Sequence, residues 1–504
     1  MLGKGCLQTG GDSLTFPFDV SQPLTTRRTF DFQIGSILLD YLSFSKSAMP
    51  ESKSDTASCS HSSLQLEPSA YAAEAGFTWQ ASAKRNAART KRGTQTSRTN
   101  VQTTDDQLST FPGPLVLPWD DLGWDPEAKP QSFKSWYQEK HRNKPTAARK
   151  TLYVVDVPEI TKEVEMMQAW MQPQSIAGKE SKKRAPVVKT TPHLAAEDLV
   201  DYLTAFYHGF PTKLFPEGLR FVPWKTKSSA SKKLPQQQYV GLATADGNTT
   251  RIRARPSPDG VFGGQLSLED ILDAAIAMLP KDAYAIVLLM DHDLYEDEED
   301  DFCCGRAYGG SRVCVVSTAR YRPELDVKID LDHAHMWPAS HCRDHVAKLC
   351  AEQDIHNSTR VVAERSPSAL RAAVDAASLV KQADTPKSLQ GLWFSRLART
   401  VAHELGHCFG MGHCICFACL MQSTAGVAED VRQPPYLCPV CMSKVSHMAG
   451  VEMLQGSEEA RDDYLKERYH ALESFCGRWK HVGLFAGYQA WLEIRLAELA
   501  DQRA

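Results

Sequence analysis

The middle of the chain alternates strand-like and helix-like segments, which predicts an α/β fold. Two neighbouring patterns carry that expectation. Ala283 to Met290 reads AYAIVLLM, a run with no position suited to water. Such a run reads as a strand buried on both faces, as in parallel sheets. Just before it, Leu268, Ile271, Leu272, Ala275 and Leu279 recur near helical spacing, behind the capping-box-like pair Ser267 and Asp270. Pro280 ends that helix.

The other elements follow in order. Leu152 to Val157 is apolar and β-branched, a buried strand. The polar stretch GKESKKRAPVVKTTP reads as a surface insertion. His193 to Phe210 is helical, with Leu194, Leu199, Leu203 and Phe206 near helical spacing, and Phe221 to Trp224 is a second strand. From Lys225, KTKSSASKKLPQQQ is a loop. Arg312 to Ala319 (RVCVVSTA) is a further strand. Between the last two strands lies DHDLYEDEEDD from Asp291, eight of whose eleven residues are acidic. EF-hand spacing with its turn glycine is missing, so the run reads as a solvated loop rather than a calcium site. Asp326 to Asp384 is mixed, and His333, His335, His341 and His345 within it read as surface histidines. Ser388 to Cys408 is a long helix; Glu458 to Cys476 and Tyr488 to Leu499 are two more, separated by Gly477, Gly483 and Gly487.

The chain has 504 residues, a length that at ~150 residues per domain allows about three domains. A hydrophobic content of 42% and a charged content of 23% exclude wholesale disorder and fibrous repeats. Lys+Arg number 57 against 61 Asp+Glu, a net charge of -4, so no basic excess points to nucleic acid. No apolar run reaches ~18 residues, so no membrane span is expected. No secretory signal is seen, so cytosol or nucleus is expected. Residues 1 to 145 read as largely irregular, with Ser43 to Thr110 poor in large apolar residues. The basic cluster Lys84, Arg85, Arg89, Lys91, Arg92 and Arg98 is read as part of a solvated tail rather than as a nuclear-localisation or anion-binding segment. The folded region is then 146 to 504, with a helical segment from about 455.

The chemistry concentrates at HELGHCFGMGHC, starting at His403. His403 and His407 lie one helical turn apart on the same face, so two imidazoles can hold one zinc. Glu404 follows the first and can serve as general base. Gly410 lets the chain leave the helix in a tight turn, and His413 returns as a third ligand. His403-x-x-x-His407-x-x-Gly410-x-x-His413 is the metzincin pattern. The plain alternative, a helix whose histidines are only packed or solvated, does not account for the whole pattern.

Fourteen cysteines in a chain without an export signal favour metal binding over disulfides. By spacing alone, Cys416-x-x-Cys419 and Cys438-x-x-Cys441 read as a four-cysteine structural zinc site. Cys408 reads as a small buried hydrophobe.

At these residues the chain resembles the archaemetzincins, and within them the vertebrate-type members. The resemblance rests on the long histidine motif, His413-Cys414, Cys419-Leu420-Met421 and Cys438-Pro439-Val440-Cys441. The segments DAYAIVLLMDHDLYEDEEDDFCCGRA and RVCVVSTARY are also similar to the family's strand region. It covers roughly Thr151 to Leu499, without the N-terminal tail, and Asp326 to Asp384 looks like an insertion or divergent loop. It implies a metzincin-like α/β zinc metallopeptidase domain with an active-site helix, a four-cysteine zinc site and a helical C-terminal part. It also implies two zinc ions. His403, His407 and His413 would hold the catalytic one and Glu404 would be the base. Met421 would be the Met-turn residue beneath the histidines; alone it would read as an ordinary core methionine. Here the family pattern and the spacing differ: the pattern takes Cys414 with Cys419, Cys438 and Cys441 as structural ligands, where spacing takes Cys416. The family pattern is preferred, leaving Cys416 a packed or free thiol.

The expected reaction is peptide-bond hydrolysis. Zinc lowers the pKa of its bound water toward about 7 and Glu404 takes the proton. The resemblance implies an aminopeptidase-like subtype. A peptide or protein substrate could add to an edge strand, expected at Arg312 to Ala319. The rival reading is a zinc-stabilised protein-binding module with a latent or inactive centre, against which the intact Glu404 counts. A nucleic-acid-binding zinc protein is disfavoured by the acidic charge.

Overall fold

In the computed structural model, the described residues are 59, 61–94, 108–174, 193–224, 238–355, 368–457 and 460–501. The predicted polar insertion after Gly178 and nearly all of the loop from Lys225 lie outside them. Every element below belongs to the unit Ser60–Ala504.

The main sheet contains β1 (Thr151–Val155), β2 (Thr212–Leu214), β3 (Ala283–Met290), β4 (Gly305–Tyr308) and β5 (Val313–Ser317). Its order is β4-β5-β3-β1-β2, with every pairing parallel except β4 against β5. All positions of β3 are buried, as its unbroken apolar run predicts for a central strand covered on both faces. The expectation that Arg312 to Ala319 is an edge strand is wrong. β5 lies between β3 and β4, and the edge on that side is β4. A second, six-stranded sheet runs in sequence order through Glu159–Ile160, Arg220–Pro223, Gln238–Ala243, Thr249–Arg255, Gln265–Ser267 and Asp293–Tyr295.

The helices of eight or more residues are α1 (Ala196–Phe206), α2 (Leu268–Ala277), α3 (Arg343–Ala351), α4 (Ala369–Ser378), α5 (Pro386–Cys408), α6 (Pro439–Ser446), α7 (Ala460–Arg478) and α8 (Gly483–Asp501). α2 buries Leu268, Ile271, Leu272 and Ala275 against the sheet, and the Ser267 hydroxyl accepts from Asp270 N–H. The Asp270 side chain does not close a capping box; it pairs with Arg253 on the neighbouring strand. The last helix is longer than expected, because α8 starts at Gly483 and contains Gly487, which was expected to lie between helices. Gly487 allows the close approach of Pro338 and Ala373, whose atoms would lie 3.1 Å from a Cβ there.

Three expectations are corrected by burial. The region 61–94 and 108–145 is not a solvated tail. It carries short helices, Ala70–Glu74, Ser82–Ala88, Asp121–Trp124 and Phe133–Gln138, and buries Phe77, Phe111, Leu117, Phe133 and Trp136. Arg85 of the basic cluster is buried, with its guanidinium 3.6 Å from the centre of the Trp79 ring. The acidic run is solvated only in its second half. Asp291, His292 and Asp293 are buried, Asp293 is ion-paired with Arg320, and Asp293–Tyr295 is a strand. Among the four histidines read as surface groups, His335 and His341 are buried and His333 and His345 half-buried.

Candidate metal centre

α5 is the platform. Thr385 caps it: its hydroxyl accepts from Ser388 N–H, the Ser388 hydroxyl accepts from Thr385 N–H, and Pro386 occupies the first turn. Almost its whole length is buried, so neighbours on all sides fix its rotation. At the far end Gly410 has φ +75°, with its N–H donating to His407 C=O, and Met411 N–H reaches back to Gly406 C=O. Glycine ends helices in this left-handed conformation at no steric cost. The turn sends His413 back beside His403 and His407, as the spacing predicts.

The three imidazoles converge. Ligand nitrogens of His403, His407 and His413 all lie within 4.8 Å of one another. His403 Nδ1 donates to Leu420 C=O at 2.7 Å and His407 Nδ1 donates to Met411 C=O at 2.8 Å. A carbonyl only accepts, so each Nδ1 carries the proton and each Nε2 presents a lone pair. Those two Nε2 atoms face each other 3.1 Å apart. Burial, followed by the neighbouring imidazoles, drives the His403 pKa well below its ordinary value; burial and His413 take His407 down to about 4. Two neutral acceptors aimed at one point repel each other unless a cation lies between them, so the donor set fits zinc.

Glu404 sits beside this point, 8% exposed, with Oε2 lacking any hydrogen-bond partner. Burial pushes its carboxyl up to about 8; Arg306 pulls against that and Glu296 adds to it. Met421 is fully buried beneath α5, and a Cβ on Gly406 would overlap its sulfur. The floor and the helix therefore meet only because residue 406 is glycine.

The four thiols of Cys414, Cys419, Cys438 and Cys441 also lie within 4.8 Å of one another, and all are buried. Cys414 Sγ and Cys438 Sγ are 3.5 Å apart, and Cys438 N–H donates to Cys419 Sγ at 3.3 Å. The neighbouring thiols hold Cys414 well below the usual thiol range; burial, with the neighbouring thiols second, pushes Cys438 and Cys419 up. Four buried sulfurs, one already disposed to be anionic, make a closed donor set for a structural metal. Cys416 lies next to Cys414 but outside this set.

A cleft of about 820 Å³ opens over the histidines. One wall is β4, where Gly305 lies 3.4 Å from Glu404 Cγ, measured from the Cβ it lacks. Arg306, Ala307 and Tyr308 of β4 line the same wall. Another part of the lining, including Gln131 and Asn143, was not anticipated from sequence, because it comes from the segment read as tail. Gln131 donates to Gly410 C=O at 3.0 Å and accepts from Gly412 N–H at 2.9 Å, bracketing the turn that carries His413. Trp136 Nε1 donates to Phe409 C=O at 3.0 Å. Asn143 reaches Gly309 and Gly310 C=O beyond β4. The available signal was local: Trp119, Trp124, Phe133, Trp136 and Tyr137 crowd one stretch.

The family description "Peptidase family M54" matches residues 378–447, which contain all seven candidate ligands. Human Archaemetzincin-2 is 23% identical over 397 residues, 77% of this chain and 86% of that one. Mouse Archaemetzincin-1 is 27% identical over 202 residues, 40% of this chain and 34% of that one. The crystal structure of archaemetzincin from Methanopyrus kandleri is 15% identical with a TM-score of 0.28, covering 60% of this chain and 97% of that one. Family and site define a zinc metallopeptidase of the long His-Glu-x-x-His type. Within that class, the chain is similar to the archaemetzincins.

Proposed function

We propose that the protein trims peptides from their amino termini. In this reading His403, His407 and His413 hold a catalytic zinc, and Cys414, Cys419, Cys438 and Cys441 hold a structural one. The observation that carries it is the convergence of two Nε2 lone pairs beside a buried, unpartnered carboxylate oxygen. Zinc bound there would supply Lewis acidity to a carbonyl and to water.

The chain's own groups do the rest. Glu404 Oε2 takes a proton from water and returns it to the leaving amine, a role suited by a carboxyl whose pKa is raised toward neutrality. The outer edge of β4 offers backbone N–H and C=O groups to an extended peptide. Asp121 and Glu139 line the cleft and suit a substrate ammonium group. Met421 and Gly406 keep the floor under the histidines closed to water.

The test is a mixed peptide library incubated with the zinc-loaded protein and with Glu404→Ala, read by mass spectrometry. Stepwise loss of amino-terminal residues with the wild type alone is expected. Internal cuts would replace the aminopeptidase reading by an endopeptidase one; no cleavage by either protein would favour a latent centre.

A further inference from the structure

A second group of imidazoles lies outside the cleft, in the region read as an insertion. Asp332 caps a single turn, His333–His335: its Oδ1 accepts from Ala334 N–H at 2.9 Å and His335 N–H at 3.3 Å. That leaves Oδ2 directed at two rings, 2.6 Å from His335 Nδ1 and 3.7 Å from His345 Nδ1. His345 comes from the first turn of α3, a different element. The two imidazoles stack, with centroids 3.6 Å apart and planes 6° from parallel. Ligand atoms of all three residues lie within 4.8 Å of one another.

We propose that Asp332, His335 and His345 form a third metal site, for a divalent transition-metal ion such as Zn²⁺. A turn cap with one carboxylate–imidazole hydrogen bond explains the Asp332–His335 contact. It does not explain why His345 Nδ1 turns to the same oxygen. Two rings 3.6 Å apart cannot both be protonated beside one carboxylate without strong like-charge repulsion. The set is therefore two imidazole nitrogens and one anionic oxygen, which suits zinc, cobalt or iron(II) and not calcium or magnesium. Both histidine side chains are 11% exposed, whereas Asp332 is 47% exposed, so an ion can enter from solvent and keep water in its open positions.

The consequence is mechanical. The chain around this cluster also docks the N-terminal segment: Gln65 N–H donates to His341 C=O at 2.8 Å and Arg343 N–H donates to Ser63 C=O at 3.0 Å. An ion joining the turn to α3 would brace that dock.

The test uses the full-length protein, stripped with chelator, dialysed against Zn²⁺ and counted by mass spectrometry of the metal. His345→Phe keeps an aromatic ring on His335 without a donor. Asp332→Asn keeps the oxygen that caps the turn and removes the charge. Each is expected to hold one Zn²⁺ fewer than wild type and to gain less in Tm on Zn²⁺ addition. A full wild-type complement of Zn²⁺ in either folded variant would overturn the site. Since the comparison is a difference, it does not depend on how the cleft histidines and the four thiols are filled.

Discussion

His403 and His407 hold their Nε2 atoms 3.1 Å apart while their Nδ1 atoms are each tied to a main-chain carbonyl. The carbonyls belong to Leu420 and Met411, in the single connection that follows α5. The tautomer of each ligand is therefore set by the chain that returns beneath it, and Glu404 stands beside the resulting point.

Glu404→Gln keeps the shape of the side chain and removes its ability to take a proton. Zinc content should be unchanged, while kcat/KM on the best peptide from the library falls by about 10²- to 10⁴-fold. Loss of less than about tenfold would show that another group acts as base.

Gly406 and Met421 should be energetically coupled. Gly406→Ala forces a methyl group onto the Met421 sulfur and should destabilise the protein by about 1–3 kcal/mol. Met421→Ala leaves a cavity and should cost about 2–5 kcal/mol alone. The double variant should cost less than the sum, a deviation that a urea-denaturation double-mutant cycle measures.

The thiol set distinguishes two cysteines two positions apart. Cys438→Ser and Cys414→Ser should each lose one zinc and lower Tm, because a closed four-thiolate site is broken. Cys416→Ser should keep the wild-type zinc count. The reverse pattern would restore the ligand assignment that the Cys-x-x-Cys spacing gives.

Trp136→Ala should destabilise by about 3–5 kcal/mol, since the indole is fully buried and donates to Phe409 C=O. Because that carbonyl lies next to the Gly410 turn, the variant should also release zinc from the histidines at lower chelator concentration. A chain starting at residue 146 should fail both measurements.

His341 gives a pH dependence of known sign. Burial takes its pKa in the fold from 6.5 down to about 4. The unfolded chain therefore binds a proton that the fold rejects, and stability is lost as pH falls from about 6.5 toward 4. From pH 7 to pH 5 this one group removes about 2 kcal/mol. His341→Gln should flatten that slope by the same amount in paired urea titrations, a comparison that cancels acid effects common to both proteins.

The ligand helix was legible because every device in it is local: cap, three histidines and terminal glycine all lie within one stretch from Thr385 to His413. β3 was legible because burial on both faces leaves no alternation to misread. The edge strand was not. Which of β4 and β5 lies outermost depends on a pairing between strands, and β4, GRAY, has no apolar pattern of its own. The support given by Gln131, Trp136 and Asn143 around the cleft was hidden by averaging, since a few clustered aromatics vanish in the composition of a 145-residue stretch. Asp293 was missed because a charge read as solvated can be buried when a distant partner compensates it, here Arg320.

The most direct measurement is a crystal structure of the zinc-loaded protein with anomalous data at the zinc edge. The account predicts a peak about 2.0–2.1 Å from the ligand nitrogens of His403, His407 and His413. Zinc among the four thiols with none between these histidines would contradict it.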